Sequence, residues 1–545
     1  MSKTEIERRD FLRTVLAGLP ALAMNWDTFP RGDETKPAGE NWDAIIVGSG
    51  LGGLSCAAAF ARQGFKPLVL EQHYQAGGFA TTFRRRDFVF DASLHSTGVG
   101  ERNGIHNLIP GFPEITDIEF VPHKHLYRAI FPDYDIRVPH RDPDGYAKIL
   151  CGHFPQEREG IDKLFVALRG VRDDIVKYSQ VGGKVDMAAF PQEYPRLFQA
   201  FSRTWGEFQG MYIQNPRLRA LVSSLWPYFG LPPSRLAALY YAMPLWGYLA
   251  EGGYYPIGKS QKISGALVRF IEERGGKVQL RTRVEKILTK DHAAFGVRTA
   301  DGREFKGKVV VANSSVPDLF QQMVDDREYL KEYVSRLESL SPSISCFQVF
   351  LGLKKDLLRE VGTADSEIFY DPGYDPEAIY QSALRADVEK GGFGVTLYDN
   401  LYAGYSPKGK NIVNLLILQG FDHWQPYAAD YEKGNKSAYR AEKERLAEWL
   451  IARVDKTLLP GLRDAIEVKE IGTPLTHRRY TLNYRGAIYG WDQTLDNSGP
   501  RRLAHKTPVK NLFLSGAWTR PGHGYGAVIP SGLECFGEIM KEWGK

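Results

Sequence analysis

Gly48-Ser49-Gly50-Leu51-Gly52-Gly53 is a complete G-x-G-x-x-G, and Glu71 follows its second glycine by about twenty residues. Those residue types at that spacing suit one task, which is holding the pyrophosphate and ribose of a dinucleotide. Gly48 permits a tight turn, Gly50 lets the backbone approach the phosphates, and Gly53 lets a helix pack closely on a strand. Leu51 and Gly52 then open the helix, where free N–H groups and the helix dipole favour anions. Glu71 is placed to accept hydrogen bonds from ribose hydroxyls.

These residues need a strand before them and a helix and second strand after them. Ala44-Ile45-Ile46-Val47 has the length and β-branched content of a buried parallel strand. A small-residue helix is expected from Leu54 to Gln63, with Gly64 closing it, and Pro67 to Leu70 supplies the next strand. A glycine turn arising by chance would lack this frame. Beyond the acid, Gln72 leads to Gly77-Gly78-Phe79 and Thr81, where a glycine pair lets backbone N–H groups meet the cofactor again. Phe88 to Asp91 alternates as a strand.

The chain of 545 residues has mass for several domains, and a net charge of +5 over that length points to no nucleic acid. Its four cysteines lie far apart, without metal or disulfide spacing; Cys56, Cys346 and Cys535 read as small buried hydrophobes. No metal site is expected, and no apolar run approaches the ~20 residues that span a bilayer. Arg8-Arg9 followed by Phe11-Leu12-Arg13, a weakly apolar stretch and Ala21-Leu22-Ala23 looks like a twin-arginine export signal. A basic amphipathic helix is the alternative. Export implies a periplasmic location and a mature chain starting near Met24.

Farther on, an amphipathic helix is expected from Gln156 to Tyr178 and another helix from Ser260 to Glu273. Phe295 to Phe305 reads as a hairpin turning at Asp301-Gly302, and Val349–Leu353, Gly394–Tyr398 and Asn411–Gln419 read as strands. Ala441 to Val454 has helical periodicity, whereas Ile471 to Trp491 reads as loops lining a site. Between Leu225 and Gly258 aromatic residues are denser than the chain's 12% average, among them Tyr228, Phe229, Tyr240, Tyr248, Tyr254 and Tyr255. The stretch suits the wall of an apolar cavity, a patch at a lipid surface, or an ordinary core.

GSGLGGL, LEQHYQAGGFATTF, FVFDASLHSTG and NLFLSGAWTRPGHGYGAVIPSGLECFGEIM together resemble the phytoene desaturase superfamily of FAD enzymes. Within it they are most similar to the branch of retinol saturases and carotenoid cis–trans isomerases. The resemblance runs in patches from about Asp43 to the C-terminus. It implies an α/β fold: a Rossmann-type, glutathione-reductase-like FAD-binding domain of the amine-oxidase type, with a discontinuous α+β substrate domain. The expected layout is a signal peptide at 1–23, a linker at 24–41, FAD-binding segments at 42–110, 246–320 and 506–545, and substrate-domain segments at 111–245 and 321–505. It also implies that Val284 lies against the adenine and that Gly516-Ala517 meets the pyrophosphate. The helix start at Gly526-Ala527-Val528 would face the flavin, and the loop after Ala312 would pass near it.

FAD rather than NAD follows from this layout and from the glycine pair after Glu71. No second nucleotide fingerprint is present, so electrons exchange with a diffusible partner, a quinone or oxygen. His95 is the first acid–base candidate, from the FDxxxH pattern shared with the resembling saturases; a histidine that only bonds backbone is the competing role. His477, Tyr480 and Tyr525 join Tyr254 and Tyr255 as expected substrate-lining residues. The leading expectation is an oxidoreductase that desaturates, saturates or isomerises an apolar isoprenoid, carotenoid or retinoid-like chain by hydride transfer with the flavin N5. An amine or amino-acid oxidase, and a lipid carrier with an inert flavin, are the alternatives. Peripheral membrane contact and the oligomeric state stay open.

Overall fold

The computed structural model describes residues 26–32, 41–100, 104–180, 186 and 188–544. The export signal therefore lies outside the described residues, as does most of the linker. Two seven-stranded sheets organise the rest.

The first sheet runs in the order Val284–Lys290, Ala293–Thr299, Glu304–Ala312, Asn41–Val47, Pro67–Leu70, Lys277–Gln279, with Leu512–Leu514 pairing to Glu304–Ala312. Asn41–Val47 lies parallel to both neighbours, Ile46 standing beside Val311 on one side and Val69 on the other. Ala44, Ile45 and Ile46 are fully buried, as expected for a strand covered on both faces. The helix Leu51–Arg62 follows at once and is buried almost throughout. Its glycines, alanines and Ser55 let it sit between the sheet and the C-terminal helix Tyr525–Trp543.

The second sheet runs Ile466–Gly472, Ser345–Leu353, Asn411–Gln419, Phe393–Leu397, Glu367–Tyr370, His125–Phe131, Tyr134–Pro139. It is antiparallel except where Glu367–Tyr370 lies parallel to His125–Phe131. Helices from 143 to 251 cover one part of it. The longest, Arg158–Gln180, buries Ile161, Leu164, Leu168, Val171, Ile175 and Tyr178, the three- and four-residue spacing of one helical stripe.

One expected stretch of loop is partly helix. Ile471 to Trp491 is not all loop, because Pro474–Thr481 forms a helix whose N-cap Thr473 accepts from the Thr476 N–H. A threonine followed by proline is a helix-start signal, which the glycine- and tyrosine-rich composition obscured. All four cysteines are free and buried.

Candidate active site

Three separate segments meet at the turn after Asn41–Val47. Gly48 has φ +95°, and a Cβ there would lie 2.5 Å from the Asn313 carbonyl oxygen. A Cβ on Gly53 would lie 2.3 Å from the Gly48 oxygen, so helix and turn touch. The Gly77-Gly78 loop folds directly over this turn: the Gly77 N–H donates to the Ser49 oxygen at 3.0 Å, and a Cβ on Gly78 would lie 3.2 Å from the Gly50 Cα. Gly516, from the C-terminal segment, closes on Gly52 and Asn313. Glu71 accepts from the Ser49 N–H and hydroxyl at 2.8 and 2.7 Å, and from the His73 N–H at 2.9 Å.

Gly48, Gly50, Leu51, Gly52, Glu71 and Gln72 line a cavity of about 1600 Å³. Gly77, Gly78, Phe79 and Val284 join them, as do Gly516, Ala517, Gly526, Ala527 and Val528. The helices Leu51–Arg62 and Tyr525–Trp543 both start here, each with a glycine N-cap and no side-chain cap. Two sets of unused N–H groups thus aim into one space. Ser314 Oγ and Ser515 Oγ, in the same wall, are buried without a hydrogen-bond partner among the described residues. A glycine cradle, two uncapped helix starts and orphaned hydroxyls fit a dinucleotide with a polar ring system.

The cavity continues into an apolar chamber. The helix Ala238–Glu251 sends Tyr240, Met243, Gly247 and Tyr248 to the chamber, and Tyr241, Ala242, Leu245 and Leu249 to the core. Tyr228 and Phe229 add rings from the segment before it. The aromatic stretch is therefore both wall and core.

Five expected site residues lie outside the wall. Gly53 serves packing, and the Thr81 hydroxyl donates to the Gly78 oxygen at 3.2 Å. Tyr254 is in the core, its main chain paired with Thr97 and its ring against His140. The Tyr255 hydroxyl donates to buried Asp91 at 2.5 Å, and Asp91 also accepts from the Ser260 N–H and hydroxyl. Tyr255 thus seals a polar core contact. His477 lies just behind the wall, its Nε2 3.2 Å from Cys346 Sγ and its ring on Phe79, so those two cavity-lining side chains stand between it and the chamber.

His95, Tyr480 and Tyr525 do line the cavity. His95 lies flat between Tyr228 and Tyr398, with Nδ1 2.6 Å from the Thr396 hydroxyl. Burial lowers its pKa to about 4, so the ring is neutral at pH 7. Two cavity residues escaped the sequence reading. Glu367 accepts from the Tyr228 hydroxyl at 3.1 Å and is raised by burial to about 8, and Asp371 is raised to about 7. Their signal is the alternation Glu367, Phe369, Asp371, which turns all three to one face once the segment is known to be a strand.

A family model described as flavin containing amine oxidoreductase matches residues 51–535. The chloroplastic prolycopene isomerase of Daucus carota is 26% identical over 534 residues, 94% of this chain and 82% of that protein. The all-trans-retinol 13,14-reductase of Danio rerio is 25% identical over 512 residues, covering 88% and 82%. Among solved structures, an oxidoreductase from Methanosarcina mazei aligns with TM-score 0.62 at 15% identity, over 92% of this chain and all of that one. Cyclohexylamine oxidase from Brevibacterium oxydans aligns with TM-score 0.57 at 15% identity, over 93% and 100%. These likenesses establish the two-sheet, amine-oxidase-type fold.

Proposed function

The chain belongs to the flavin containing amine oxidoreductase family, and on that footing we propose an FAD enzyme that works on carbon–carbon bonds of an apolar, isoprenoid-like chain. The observation that carries this reading is the continuity of the cavity. Its glycine-lined end runs straight into a chamber walled by rings and aliphatic side chains. At about 1600 Å³ it exceeds the ~300–1,000 Å³ of an ordinary ligand pocket, which leaves space for a dinucleotide and a long second ligand. The relatives named for prolycopene isomerisation and all-trans-retinol 13,14-reduction support a polyene substrate.

In this reading the turn Gly48 to Gly53 and its helix start hold the pyrophosphate, while Glu71 and Val284 attend the adenosine. Gly516, Ala517 and the start of Tyr525–Trp543 hold the flavin side. A bound flavin supplies hydride exchange at its N5. The chain's own part is to align one bond and exclude water, for which Tyr228, Phe229, Tyr240 and Tyr248 provide rigid apolar surface. The neutral His95 supplies a proton acceptor within the wall. Reaction by desaturation, saturation or isomerisation is compatible with these parts.

A diffusible quinone or oxygen completes the electron balance of a redox reaction. Export by the twin-arginine route, suggested by Arg8-Arg9, would deliver the folded, cofactor-loaded protein outside the cytoplasm. Among the described residues no helix is long and apolar enough to cross a membrane. Peripheral contact with lipid is the proposed source of an apolar substrate.

The deciding experiment offers FAD-loaded protein, without oxygen, a panel of isoprenoid polyenes and a panel of amines. Flavin absorbance that changes with a polyene, or a polyene converted to another isomer, is the expected result. Flavin bleached by amines, with peroxide released once oxygen is admitted and every polyene untouched, would replace this reading with an amine oxidase.

A further inference from the structure

Within the apolar chamber the segment from Glu367 to Asp371 turns two carboxyl groups to the cavity. Glu367 and Asp371 are 3% and 5% exposed, and among the described residues neither forms a salt bridge. Uncompensated carboxyls in an apolar wall are costly, so their retention asks for a use. Glu367 stands directly opposite Thr396 in the antiparallel pairing with Phe393–Leu397. The Thr396 hydroxyl is 2.6 Å from His95 Nδ1, while Tyr228 donates to Glu367 Oε1 at 3.1 Å. Glu367, Thr396 and His95 all border the cavity. Glu367 Oε2 is buried without a hydrogen-bond partner among the described residues, and a hydroxyl both donates and accepts, so a turn of the Thr396 hydroxyl toward the carboxyl would join it to the imidazole.

We propose that Glu367 is a proton-exchanging acid of the chamber, giving a proton to, or taking one from, a carbon of the bound chain. Thr396 and His95 are positioning residues that return its proton. The assignment rests on the reading of the chamber as a site of carbon–carbon bond chemistry. In the saturating direction, one carbon of a double bond receives a hydride drawn from reduced flavin. The π pair takes the Glu367 proton at the neighbouring carbon, so two electrons and two hydrogens enter the bond. Glu367 is left as a carboxylate and regains a proton from water through His95 and Thr396. In the desaturating direction the carboxylate takes the proton and the hydride passes to oxidised flavin.

The electrostatics agree with the geometry. Burial raises Glu367 to about 8, against a smaller lowering by the Thr396 and Tyr228 hydroxyls, so it carries a proton at pH 7. The titratable groups facing it are Tyr228, Tyr248 and Tyr398, all raised by burial. Two histidines lie nearby: His95, and His123, which bonds the adjacent Ser366 and is lowered to about 3. Of the groups named, Asp371, raised to about 7, shares the titration range of Glu367.

The first arm of the test needs no turnover. Infrared difference spectra compare the full-length flavoprotein with its Glu367→Gln variant, both carrying Asp371→Asn to silence the second carboxyl. A carboxylic-acid carbonyl band is expected at acid pH, lost with a midpoint of about 8 and missing from Glu367→Gln. The second arm uses whichever polyene the wild type transforms, in deuterium oxide. Glu367→Gln should keep its flavin, lose about 10²–10⁴-fold in turnover, and recover in part as Glu367→Asp. His95→Gln should shift the pH profile while leaving flavin content intact. No such band in the Asp371→Asn parent, or Glu367→Gln at the wild-type rate, overturns the assignment. If no polyene reacts with the wild type, the substrate reading fails, and the infrared titration alone decides for or against a neutral Glu367.

Discussion

Gly48 and Gly302 share a left-handed backbone, with φ of +95° and +83°, yet differ in the room around them. A Cβ at Gly48 would press on the Asn313 carbonyl oxygen at 2.5 Å, whereas at Gly302 it would meet nothing within 4 Å. Gly302→Ala is therefore expected to cost only backbone strain, about 1–2 kcal/mol, and to keep its flavin. Gly48→Ala should weaken FAD binding by about tenfold or more, the effect of ~1.4 kcal/mol on Kd, read from visible absorbance in a flavin titration. An unchanged Kd in that variant would show that the turn is not the phosphate cradle. His123 provides a pH dependence. Burial, with a further lowering from His140 and His95 beside it, brings it to about 3 from 6.5. Between those values the unfolded chain binds more protons, so the residue's contribution rises with pH and is complete above 6.5. Acidifying from about pH 6.5 to about 5 should cost roughly 2 kcal/mol through this residue alone. His123→Asn removes that slope, so its urea midpoint should gain on the wild type as pH falls. Parallel midpoints would refute the assignment.

At the scale of elements, the spacing between two helices shapes the glycine-lined end of the cavity. Leu51–Arg62 and Tyr525–Trp543 come from opposite ends of the described chain and pack without slack. A Cβ on Gly532 would lie 2.1 Å from both the Gly52 oxygen and Ser55 Oγ, and the Ser55 hydroxyl donates to the Ile529 oxygen at 2.9 Å. Gly532→Val is expected to cost about 1–3 kcal/mol by overpacking. It should also shrink the rise in Tm that added FAD produces, because both helix starts feed the same cavity. An FAD-induced rise equal to that of wild type would mean that the two starts act independently. The helix Ala238–Glu251 carries a different lesson. Its rings were visible in the sequence, but only the helical period sorts Tyr240 and Tyr248 from Tyr241.

At the scale of the molecule, two sheets enclose a single chamber, and ligand length is a property of both. Ala383, on the helix Pro376–Leu384, lines the substrate-sheet side of the wall. Ala383→Phe should keep its flavin and lose turnover of longer polyenes more than of shorter ones, measured as kcat/KM across a length series. Equal loss at every length would place the substrate elsewhere. The fold was legible in outline because the nucleotide strands are contiguous, apolar and punctuated by glycine. The second sheet was legible only at Ser345–Leu353, Phe393–Leu397 and Asn411–Gln419, where apolar runs are long enough to read. Short segments such as Glu367–Tyr370 carry too little pattern to be told from a loop.

The glycine-turn half of the cavity was legible in the sequence alone, because its turn, helix, second strand and terminal Glu71 are neighbours along the chain and obey local backbone rules. The reactive half was decided by tertiary structure. His95 and Thr396 are 301 residues apart and meet only when the second sheet forms against the loop after Phe88–Asp91. Whether a tyrosine faces a ligand or seals a core, and whether a glutamate is charged or holds its proton, depends on what the packed chain removes from water. No window of sequence contains that information.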